Sequence, residues 1–103
     1  MKIIATLADK IDDELNDAEE YAELAHETKL EHQKLSETFI TLAEQEMTHS
    51  KMLHTEAVRL IEETRQRNDD PPAGMLAVYE YVHNKQVKRA AAIRQMIADY
   101  RNG

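Results

Sequence analysis

The chain has 103 residues, a formal net charge of −7, 32% charged and only 5% aromatic residues, and no cysteine. That length holds one domain, the negative field repels a phosphate backbone, and the lack of thiols excludes disulfides, zinc knuckles and thiol catalysis. A hydrophobic share of 42% argues against disorder driven by polarity, and no apolar run approaches transmembrane length.

The composition has 2 Gly and 2 Pro, the prolines adjacent at Pro71 and Pro72. Long stretches therefore carry no backbone breaker, and the expected fold class is all-α: one domain over 1–103, a long antiparallel helical hairpin plus a third helix. The first helix is predicted over about 3–28. Ile4, Leu7, Ala8, Ile11, Leu15, Ala18, Tyr21, Ala22 and Ala25 fall at helical spacing on one stripe. The opening segment Met1–Lys10 meets charge too early for a secretory signal, so a soluble cytoplasmic protein is expected.

The polar run Lys29–Lys34 holds the turn. A second helix is predicted over about 35–67, with Leu35, Phe39, Leu42, Ala43, Leu53, Ala57, Leu60 and Ile61 on its apolar face. Asn68-Asp69-Asp70-Pro71-Pro72 is a stop and restart, since Asp caps a helix N-terminus and Pro is tolerated in a first turn. The third helix is predicted over about 73–100, with Leu76, Tyr79, Val87, Ala90, Ile93 and Ile97 on its stripe. Lys85, Lys88, Arg89 and Arg94 are spread around it as a solvated face, so neither nucleic acid nor a membrane is an expected partner.

Glu and His three apart on a helix point the same way and can bind one metal ion. Random placement of 13 Glu and 5 His gives roughly 0.6 such pairs, whereas the chain has three: Glu23/His26, Glu46/His49 and Glu80/His83. Position on the helix separates them. Glu23 and His26 lie off the first stripe and are expected in solvent. Glu46 falls in line with Phe39 and Leu53, and His49 one step aside, so both interrupt the apolar face of the second helix. A lone carboxylate there costs on the order of several kcal/mol unless it is paired or protonated.

If the turn centres near residue 31, facing positions in the hairpin sum to about 62. Glu14, itself on the stripe of the first helix, then stands level with residue 48, between Glu46 and His49. Two carboxylates and one imidazole can hold one ion, but a di-iron centre takes about four carboxylates and two histidines. The third helix does not supply the remainder, because Glu80 and His83 lie more than about 10 Å away along the axis. A homodimer does: two hairpins form a four-helix bundle, each contributing Glu14, Glu46 and His49. Asp17 is an auxiliary candidate at the edge of the stripe. Glu80 and His83 are candidates for a second metal or entry site, or for a buried pair at an oligomer interface.

The run Leu42-Ala43-Glu44-Gln45-Glu46-Met47-Thr48-His49-Ser50-Lys51-Met52-Leu53 resembles the second-helix signature of the ferritin-like di-iron carboxylate superfamily, especially its rubrerythrin-like and encapsulated-ferritin-like members. Glu14 followed by Ala18 and Tyr21 is similar to the first-helix signature, and the likeness spans about residues 4–64. The chain is closest to the single-hairpin type that builds its site across a dimer. The resemblance implies two iron ions per dimer, Glu46 bridging, Glu14 and His49 terminal, and ferroxidase or dioxygen- or peroxide-reducing activity. It also implies Tyr21 as a hydrogen-bond partner of a ligand carboxylate. The ligand types accept zinc or manganese as well. An encapsulating shell or other assembly partner would be separate.

A reading from another class stands beside this one. Glu14, Glu46 and His49 can bond one another in a wet bundle core and set register, as polar residues do in coiled coils. The chain is then a non-catalytic helical interaction or assembly protein without metal, for which a phage or prophage origin is expected.

Overall fold

The computed structural model describes residues 2–67 and 73–103. They form three helices and no strand: α1 (Lys2–Thr28), α2 (Gln33–Gln66) and α3 (Ala73–Asn102). The all-α expectation holds, and the helix bounds fall within two residues of those read from periodicity. The stop at residues 68–72 and the side chain of Leu76 lie outside what is described.

Helices α1 and α2 form the antiparallel hairpin, turning over Lys29–His32 without Gly or Pro. The turn is closed by backbone bonds instead: His32 N–H donates to Thr28 O at 2.8 Å and Ser36 N–H to His32 O at 2.8 Å. His32 stands at the N-cap of α2 without a side-chain capping bond, so tertiary packing, not capping, sets this end.

The inner seam is narrow. Ala18, Ala22 and Ala25 of α1 and Ala43 of α2 are fully buried, with Leu15, Ile40 and Ile93 the largest apolar side chains sealed within the core. Alanine in facing turns lets helix axes approach closely at no side-chain entropy cost. The molecule is correspondingly slender, 56 × 18 × 17 Å.

Helix α3 runs antiparallel to α2 and chiefly along α1. Gln86, buried, donates to Ala8 O and to Asp12 Oδ1, both at 3.0 Å. At the turn end Ser36 ties all three helices, donating to Ala25 O at 2.7 Å and lying 2.7 Å from the Tyr100 hydroxyl. Because the single Ser36 proton goes to Ala25, Tyr100 is the donor in that second bond.

Two stripe assignments need correction. The buried face of α2 is Ser36, Ile40, Ala43, Ser50 and Ala57. Leu42, Leu53, Leu60 and Ile61 are only half-buried, and Leu35 is exposed. On α3, Gln86 and Tyr100 are buried while Val87 is exposed. In both helices a polar residue with a hydrogen-bond partner occupies a core position, and an apolar residue is left at the surface.

A candidate metal centre

Helices α1 and α2 bring Glu14, Glu46 and His49 together as expected. One ligand atom from each lies within 4.8 Å of the others. Nδ1 of His49 is 3.4 Å from Glu14 Oε2 and 3.8 Å from Glu46 Oε1. The convergence follows from the hairpin: Glu46 and His49 are three apart on α2, and the observed turn sets Glu14 level with them.

The cluster is under electrostatic tension. Glu14 Oε2 is buried, and among the described residues it has no hydrogen-bond partner. His49 stands at ion-pair distance from it without forming a hydrogen bond. Two ionised carboxylates have no proton to share, so one of them gains by keeping its own. Glu46 does so. Hydrogen bonding with the Glu14 carboxyl, then burial, then the Glu14 charge raise it from 4.5 to about 7, against the opposing pull of His49.

This donor set fits a cation. Bonds of about 2.0–2.2 Å to nitrogen and oxygen put neighbouring ligand atoms about 3 Å apart, a small contraction from the separations above. An ion would satisfy the orphaned Oε2 and remove the repulsion between the two carboxylates. Three ligands from one chain leave positions open.

The other named candidates separate from this group. Asp17 is exposed on α1, and its charge contributes only the weakest push on Glu46. Tyr21 stacks on Phe39, with ring centroids 6.2 Å apart. Its hydroxyl bonds neither ligand carboxylate, so the implied hydrogen-bonding role is not seen within one chain. Glu80 and His83 are elsewhere, in a cleft between α2 and α3 shared with His54. Glu23 and His26 are exposed, though His26 Nε2 is 3.1 Å from Met96 O and its ring meets Tyr100 edge-on. His54 is half-buried.

Glu14, Tyr21, Phe39, Glu46 and His49 lie on the flank of the hairpin away from α3, since Asp12, Glu19 and Glu44, which reach α3, lie on the other flank. The half-buried Leu42, Leu53 and Leu60 share the cluster's flank. His49 is 52% exposed there, so the cluster opens onto a surface with apolar borders. No helix among the described residues is long and apolar enough to cross a membrane. Comparison of the chain with protein-family models, with curated proteins and with solved structures returns no match.

Proposed function

We propose that the chain is an iron-binding, ferritin-like protein in which Glu14, Glu46 and His49 of two copies make one di-iron site. The observation that carries this reading is the buried, unpartnered Oε2 of Glu14 facing a second carboxylate and an imidazole. A solvated acidic surface does not leave a carboxylate oxygen in that state. The sequence resemblance adds to it independently of geometry.

The homodimer is part of the proposal because the site is incomplete in one chain. Three ligands are half of a four-carboxylate, two-histidine set. The half-buried leucines bordering the cluster are suited to pack against the same surface of a second copy about a two-fold axis. Such packing would also desolvate His49 and strengthen every charge interaction around it.

Iron held there would supply redox chemistry toward dioxygen or peroxide, with ferroxidase or peroxide-reducing activity. Glu46 releases its proton as it becomes a ligand, so binding tightens as pH rises toward neutrality. Glu14 and Glu46 offset the ionic charge, and His49 fixes one direction of approach.

The second reading, a metal-free helical assembly protein in which the three residues set register, is favoured by the same leucine-bordered surface. Anaerobic ferrous loading followed by desalting and admission of air separates the two. About one iron per chain, with a near-ultraviolet ferric band lost in His49→Ala, is the expected result. No retained iron alongside an unchanged dimer would leave the assembly reading.

A further inference from the structure

On the other side of α2, a second set of donor groups meets α3. His54 Nε2 is 2.6 Å from His83 Nδ1, with ring centroids 4.4 Å apart and planes within 17°. Both rings face a cleft of about 240 Å³, which is large enough for an ion and its water. Glu80 lines the same cleft and precedes His83 by three residues, the spacing at which helical side chains share a face.

We infer that His54 and His83 form a second site, for a divalent transition-metal ion, that clamps α2 to α3, with Glu80 on the cleft wall as an outer carboxylate. Two imidazoles from two helices, completed by water, are a donor set that suits zinc, cobalt or nickel. Metal–nitrogen bonds of about 2.0–2.1 Å need the two ring nitrogens about 3.0–3.4 Å apart, about 0.4–0.8 Å more than the direct hydrogen bond. The cleft gives the half-buried rings room for that rotation, and water completes the coordination.

The environment keeps the pair available to a cation. Burial, and then the charge of His83, lower His54 below its ordinary 6.5, so protons compete weakly for it near neutrality. Glu62 adds a carboxylate to the cleft wall, while Arg65 lines it too and Lys51 and Arg94 border the adjoining groove. The site is separate from the Glu14 cluster. His49 and His54 are five residues apart, about 140° around α2, and the cleft contains none of Glu14, Glu46 or His49.

The site is tested in full-length protein carrying Glu46→Ala and His49→Ala, which disables the first cluster. Cobalt(II) titration should give about one ion per chain with a visible ligand-field band, and should raise the melting temperature. Adding His54→Ala or His83→Ala should weaken binding by about tenfold or more, and Glu80→Gln by a smaller factor. A measurement that leaves the pair intact guards against misfolded variants. In the same background, zinc should shift the ring resonances of His54 and His83 and leave those of His26 and His32 in place. Absence of cobalt binding, binding indifferent to His54→Ala, or zinc shifts that spare His54 and His83 would each overturn the assignment.

Discussion

Glu14 Oε2 lies 3.4 Å from His49 Nδ1 and still has no hydrogen bond. The contact is close enough for charge attraction and wrongly directed to quench the oxygen. A residue pair selected only to fix helix register would be expected to bond directly. This pair leaves a gap between its donor atoms, which an ion could occupy.

Replacing the whole cluster by apolar residues separates its contribution to stability from its contribution to binding. Glu14→Leu, Glu46→Leu and His49→Phe together leave no carboxylate without a partner on this half-buried surface. The metal-free protein should gain about 1–4 kcal/mol, as buried ionic clusters do when replaced by packed apolar groups. Ferrous binding at this cluster should vanish. Chemical denaturation in chelator reads the first effect and iron analysis the second. A destabilised triple variant would mean that the cluster is already satisfied without metal.

Ser36 and Tyr100 form the other polar junction that the fold depends on. Ser36→Ala leaves Ala25 O with only the long 3.5 Å contact from the Thr28 hydroxyl and the Tyr100 hydroxyl without its acceptor, both in a buried setting, and should cost about 1–3 kcal/mol. Tyr100→Phe removes one donor and should cost about 0.5–1.5 kcal/mol. The two losses should not add, because each removes the shared bond. Thermal unfolding of the single and double variants measures the coupling, expected at about 0.5 kcal/mol or more.

The outcomes for α2 explain what periodicity could and could not read. Glu46 and His49 were legible because they break a run of leucines, and Glu14 because the turn position alone sets its level. Which face of α2 points inward was legible only in part, through Ala43 and Ala57. Ser36, Ile40, Ala43, Ser50 and Ala57 form the inner seam, yet a stripe drawn by hydrophobic size follows Leu35, Leu42, Leu53 and Leu60. Close helix packing selects small side chains, and a serine bonded to a backbone carbonyl is no burden in a core. The meeting of His54 with His83 was out of reach for a different reason. It depends on the register of α3 against α2, which hydrophobic periodicity along a single helix does not carry.

The leucines left at the surface carry their own prediction. Leu53 is half-buried beside the cluster, and Leu53→Arg would place a cation where the second copy is proposed to sit. Sedimentation should move from a dimer to the 11.9 kDa chain, with helix content retained and iron per chain reduced. An unchanged dimer would put the interface elsewhere, and the site would then have to be completed differently.

The protonation of Glu46 gives the metal-free protein a distinctive pH dependence. Its folded value, about 7, is above its ordinary 4.5, so between those limits the folded chain binds more protons than the unfolded one. Stability from this group is therefore fully present below about pH 4.5 and is lost as pH rises through 7. The full shift corresponds to about 3 kcal/mol, which solvent at the edge of the cluster reduces to the order of 1–2 kcal/mol. His54 acts in the opposite sense. Its lowered value makes its contribution present above 6.5 and lost as pH falls below that. Urea midpoints in chelator at pH 5 and pH 8 sum the two, and Glu46→Gln isolates one of them. The wild type should lose more stability than the variant on going from pH 5 to pH 8. With ferrous iron present anaerobically that difference should reverse, because the ion takes the place of the proton and binds the ionised form. Equal slopes in wild type and Glu46→Gln would mean that Glu46 is ionised throughout, and that its carboxylate is held by something other than the proton it is assigned here.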